Sequence, residues 1–128
     1  MEYSYTKKVS GDVDSTVEMV TSMLSQEGFS VLMDINVQES LKQKLDVAID
    51  AYRILGVCQP TFAYQALAVE KSIGLMLPCN LIVYEEKGDV FVATIVPTVA
   101  MSVVDNDKLK DIAKHVEDAL KKVINNIT

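Results

Sequence analysis

The sequence is poor in positive charge, in histidine and in glycine. Its 128 residues hold 12 Lys and Arg against 18 Asp and Glu, a formal net charge of -6. A protein that grips a nucleic-acid backbone needs a concentrated basic face, so this balance argues against that class. The single histidine, His115, rules out a His-rich zinc centre and makes a His-based triad a poor fit. Gly56 and Gly74 stand alone at element ends, so no glycine-rich loop is there to cradle a phosphate. The two cysteines, Cys58 and Cys79, match no CxxC and no zinc-ribbon spacing. The apolar stretches Ile73 to Leu77 and Val90 to Val96 are far too short to cross a bilayer. No apolar run follows the early lysines, so no secretory signal is expected. These absences lead to the expectation of a cytoplasmic protein with neither a membrane nor a nucleic acid as partner.

What is present reads as one folded unit. Hydrophobic residues make up 49% and charged residues 23%, ordinary values for a globular chain. No stretch is rich in Pro, Gly or Ser and no period repeats, so residues 1–128 are expected to form a single domain. Tyr3 to Val9 alternates and predicts a first strand. Ser15 with Glu18 reads as a capping box, Val13, Val17, Val20 and Leu24 follow at helical spacing, and Gly28 closes that helix. Phe29, Val31, Met33, Ile35 and Val37 are apolar at five successive odd positions, which predicts a strand with one buried face. Gln38 to Val47 predicts a short surface helix. Tyr52 to Cys58 is apolar on both faces apart from Arg53, so this strand is expected to be covered on both sides.

Pro60 suits the first turn of a helix carrying Phe62, Ala66, Val69 and Ile73, with Gly74 as its stop. Asn80 to Glu86 and Asp89 to Val96 flank Lys87-Gly88, a hairpin by turn chemistry. A final helix carries Leu109, Ile112, Val116, Ala119, Leu120, Val123 and Ile127. The fold class expected is α+β: a two-layer sandwich, its mostly antiparallel sheet carrying helices on one face. The order is strand, helix, four strands and helix, with an inserted helix. Val17, Val20, Leu24, Ile112, Val116 and Leu120 should be buried together. The apolar residues left on the second face are most simply covered by another copy, a homodimer.

Several segments together carry a family resemblance. They are Phe29-Ser30-Val31-Leu32 into Asp34-Ile35-Asn36-Val37, then YRILGVCQP (Tyr52 to Pro60), Ala66-Leu67 with Glu70, and IGLMLPCNLIVYE (Ile73 to Glu85). The chain resembles, from about Asp14 to Met101, the family called domain of unknown function 302. The resemblance implies a TATA-binding-protein-like sandwich, a dimer, and no assigned activity.

Two places could carry chemistry. Cys58 and Gln59 precede the helix that Pro60 opens, where unpaired amides can lower a thiol pKa. Cys79 and Asn80 open the strand after Pro78. If the two segments meet, two thiols and two carboxamides surround one helix N-terminus. Arg53 interrupts an apolar strand and Glu70 lies on the inserted helix beside Ala63, Ala66 and Leu67. Such charges either line a pocket for a small molecule or pair structurally, with each other or with Lys71 or Asp34. Two classes of function follow. One is a dimeric protein binding a small ligand near Cys58, Gln59, Cys79, Asn80, Arg53 and Glu70. The other is a thiol-dependent enzyme or redox carrier using Cys58 or Cys79. A soft-metal version of the second would recruit Met33, Met76 and Met101. No metal-ligand spacing is otherwise present, and buried structural cysteines are the commoner use of the residue.

Overall fold

The computed structural model describes residues 2–128. The chain runs β1 (Ser4–Val9), α1 (Val13–Gln26), β2 (Ser30–Asn36), α2 (Val37–Leu45), β3 (Tyr52–Cys58) and α3 (Pro60–Val69). It continues through a 3-10 turn (Lys71–Met76), β4 (Cys79–Glu86), β5 (Asp89–Ile95), α4 (Pro97–Ala100), a second 3-10 turn (Met101–Val103) and α5 (Asp107–Asn125). The strands form one sheet in the order β1-β5-β4-β3-β2, and every neighbouring pair is antiparallel. This is the expected α+β sandwich.

The long helices form where the sequence supplies both stripe and caps. Asp12 accepts from the Ser15 amide at 2.7 Å while Ser15 Oγ accepts from the Asp12 amide at 3.3 Å, so the capping box pairs Asp12 with Ser15, not Ser15 with Glu18. Gly28 follows the helix end with φ of 80°, a conformation that favours glycine. α1 and α5 lie on the same face of the sheet, where Val17, Val20, Leu24, Leu120, Val123 and Ile124 pack on Leu55, Val57, Leu81, Val83 and Val92. Val116 is only partly buried against this core. Ile112 packs instead against a second cluster formed by Ala66, Ile73, Met101, Leu109 and Ala113. The α5 stripe also carries Glu117, which is 5% exposed. Burial alone would raise its pKa. The Thr98 amide and hydroxyl and Lys121 Nζ, all directed at the carboxylate, outweigh that and hold it below the ordinary value.

Two local readings are corrected. The odd positions of Phe29 to Val37 do not share one face. A bulge between Val31 and Met33 inserts Leu32, so Val31 pairs with Val57 but Met33 pairs with Gly56. Met33 and Ile35 therefore emerge on the face away from the helices, 43% and 44% exposed. The inserted helix stops at Val69, not at Gly74, because Asn106 Nδ2 donates to the Val69 carbonyl at 2.8 Å and to Glu70 Oε1 at 3.2 Å. The chain then turns as a 3-10 segment that brings it back to β4.

Candidate functional site

Cys58 ends β3 and Cys79 begins β4, and the antiparallel register sets Val57 opposite Cys79. The tight return after α3 is what closes the gap between them. Cys58, Gln59 and Cys79 line one cavity of about 40 Å³, walled by Phe29, Phe62, Ala66, Met101, Leu109 and Ala113. The cavity lies where α3 and α5 meet the ends of β3 and β4. Its walls are apolar because the α3 stripe supplies Phe62, Ala63 and Ala66 while α5 supplies Leu109, Ile112, Ala113 and Val116. Alanines on both helices leave the space that larger side chains would fill.

The polar groups there are few and committed. Gln59 is the N-cap of α3, its Oε1 accepting from the Phe62 amide at 2.9 Å. Its amide nitrogen lies against Gly28, 3.3 Å from where a Cβ on that residue would stand. Cys79 is 9% exposed and Cys58 is half-buried, and neither is in a disulfide. Burial pushes the Cys79 thiol up to about 11, and the neighbouring Cys58 adds to the rise. His115 stands outside, its ring stacked on Phe62 with centroids 6.4 Å apart.

The remaining candidates lie elsewhere. Asn80 alternates with Cys79 along β4 and is exposed, in a groove with Ile82, Ala93 and Ile95 and in an outer groove of about 230 Å³ that it shares with Cys79. Arg53 is held by two carboxylates: Nε and Nη2 donate to Asp34 at 2.8 and 2.5 Å, and Nη1 donates to Asp14 at 2.8 Å. That bidentate pair is the structural alternative, made with Asp34 and not with Glu70. Glu70 is not on the face of α3; it caps the C-terminus in extended conformation and accepts from Asn106. Met101, Phe29 and the α5 residues Leu109 and Ala113 were not readable as one site. They reach the cavity from segments brought together only by the fold. Among the described residues no group of three or more His, Cys, Asp or Glu is placed to hold a metal ion, and no helix is long and apolar enough to cross a membrane.

The second sheet face has its own organisation. Tyr52, Tyr84 and Phe91 stack across β3, β4 and β5 with centroids 5.5 and 5.4 Å apart. By register Ile54, Ile82, Ala93, Ile95, Met33 and Ile35 share this face, which is turned away from α1 and α5. Ser4, Thr6, Lys8, Glu86 and Asp89 rim it along β1 and the hairpin.

A five-stranded antiparallel sheet with helices on one face and thiols at one end of its middle strands defines a small α+β sandwich. The chain belongs to the family described as Domain of unknown function DUF302, which matches residues 5–127. It is similar to the crystal structure of an uncharacterized conserved protein DUF302 from Bacillus stearothermophilus. The two share 32% identity over 100% of each chain, with a TM-score of 0.95. No curated protein matches the chain.

Proposed function

We propose that the protein is a homodimeric, single-domain binding protein that holds a small ligand in the cavity beside Cys58 and Cys79. The supporting observation is the cavity itself: a partly open apolar space with few polar groups, lying between α3, α5 and the sheet ends. Its volume of about 40 Å³ sets the scale of the occupant at a handful of atoms. A thiol nucleophile at Cys79 is the weaker reading, because burial keeps that thiol protonated. Arg53 and Glu70 serve the fold in this reading, and Asn80 belongs to the dimer face.

The dimer reading rests on the second sheet face. An apolar centre with a polar rim is the anatomy of a protein interface. Five strands at about 4.8 Å spacing and about 3.3 Å per residue make a platform on the order of 500 Å² before side-chain relief, most of the ~800 Å² per partner of a standard interface. The net charge of -6 argues against nucleic acid as partner, and two unpaired cysteines suit the reducing cytoplasm.

The ligand reading is tested with xenon, a probe small enough for the cavity. Under xenon pressure the methyl resonances of Ala66 and Ala113 should shift in the wild type. Ala113→Leu, which fills the space, should abolish the shift. Unmoved methyls in the wild type would refute the cavity as a binding site. The dimer reading is tested by sedimentation at micromolar concentration, where twice 14.1 kDa is expected and 14.1 kDa would refute it.

A further inference from the structure

We propose that Cys58, Cys79 and Met101 form a site for a soft monovalent metal ion of the copper(I) class, an inference that rests on the cavity's being the ligand site. Three sulfur-bearing side chains from three separate segments line the same small space. Thiolate and thioether are the ligands that select copper(I), whereas zinc asks for four nitrogen, oxygen or thiolate donors, which the described residues do not gather. The one other polar side chain at the cavity, Gln59, has its carbonyl oxygen occupied by the Phe62 amide. About 40 Å³ admits an ion and excludes an organic ligand of ordinary size, which needs several hundred.

The surroundings also supply a way in. Cys79 and Met101 line a second, outer groove of about 230 Å³ together with Met76. Met76 is 36% exposed, so a thioether at the surface leads to a thioether and a thiol inside. Binding would replace the two thiol protons by the metal: each sulfur–hydrogen bond is exchanged for a sulfur–metal bond, two protons leave to solvent, and no electron is transferred. The bis-thiolate complex carries one negative charge. Cys58 directly precedes the N-cap of the ten-residue α3, whose first-turn amides and dipole favour that charge.

The experiment is an anaerobic titration of the reduced, full-length protein with copper(I), in competition with a chromogenic copper(I) chelator. One ion per chain is expected. Cys58→Ser and Cys79→Ser should each lower the affinity at least 100-fold, and Met101→Leu about 10-fold. Met33→Leu, on the opposite sheet face, should leave it unchanged. Thermal melts of each metal-free variant show whether it is folded. Should a cysteine variant fail to fold, Met101→Leu and Met33→Leu still decide the matter: loss at Met101 with none at Met33 is expected, and wild-type affinity in Met101→Leu overturns the site. A wild type that yields all copper to the chelator overturns the metal assignment. If xenon still shifts the Ala66 and Ala113 methyls in that protein, the ligand cavity stands without the metal. If xenon fails as well, both readings fall together.

Discussion

The two faces of the sheet are built from the same strands and meet different fates. On one, Leu55, Leu81, Val83 and Val92 are completely buried under α1 and α5. On the other, Tyr52, Tyr84 and Phe91 stack on each other, only half-buried, with Ile54 and Ile82 beside them. Period-two alternation makes both faces apolar, yet the chain has helices enough for one. Composition differs accordingly. The covered face uses compact aliphatics that interdigitate with helix side chains, while the open face adds three stacked aromatic rings to its aliphatics. The second face, apolar and without α1 or α5 over it, is where a partner copy is expected.

The sharpest way to break this comparison is to cut equivalent side chains from the two faces. Leu81→Ala removes a fully buried side chain from beneath the helices and should cost about 3 kcal/mol at any protein concentration, read by urea denaturation. Ile82→Ala, one residue along on the open face, should cost about 1 kcal/mol in dilute protein and more where the dimer forms, so its midpoint should move with concentration. Equal and concentration-independent losses would show that the open face has no partner. Tyr84→Asp should give a folded monomer by sedimentation, since a charge at the centre of a dry interface is uncompensated there and solvated when free. A Tyr84→Asp dimer would place the interface elsewhere.

What the sequence conceals about these faces follows from residues far apart in the chain. The α1 and α5 stripes and the hairpin are legible because their signals are local: repeated spacing, caps and turn residues. The bulge at Leu32 is not, because no glycine or proline marks it and only its pairing with β3 reveals it. α3 ends early because Asn106, distant in sequence, takes the Val69 carbonyl. Glu117 sits on a buried stripe because Thr98 supplies its donors. At the candidate site, Cys58 and Cys79 stand out in the sequence, but whether they meet depends on the return after α3, which is not legible there. Asn80 lies outside the inner cavity because alternation along β4 turns it away, yet it shares the outer groove with Cys79. Met101 joins them only through tertiary packing.

A smaller test sharpens the boundary between the faces at Gly56. A Cβ there would stand 2.8 Å from Met33 Cε and 3.0 Å from Pro78 Cγ on the open face. The Met33 side chain is flexible and can retreat, whereas the proline ring cannot. Gly56→Ala should therefore cost about 1 to 2 kcal/mol, and adding Met33→Ala should recover part of it. Full tolerance of the alanine in the wild-type background would mean that the open face is more loosely packed than its contacts indicate.

The smallest effect is expected where the covered face runs out. Arg53 precedes Leu55 by two residues on the helix side of β3, at the edge of the main core, and is held there by Asp34 and Asp14. Its guanidinium keeps the Asp34 carboxyl below the ordinary value through a bidentate hydrogen bond. Asp34 is 37% exposed and Asp14 is 86% exposed, so solvent screens the pair and Arg53→Gln should cost no more than about 1 kcal/mol at neutral pH. The sign of the pH dependence is fixed by the direction of the shift. A carboxyl with a lowered pKa in the folded state contributes its stability above the unfolded pKa near 4, and loses it as pH falls through the lower folded value. The difference in urea midpoint between wild type and Arg53→Gln should therefore be constant from pH 7 to about pH 5, then shrink towards pH 2. High salt should shrink it at neutral pH as well. A difference that persists undiminished at pH 2 would mean that Arg53 acts by packing its methylenes on β2 and not by charge. The edge of the covered face would then be apolar like its centre.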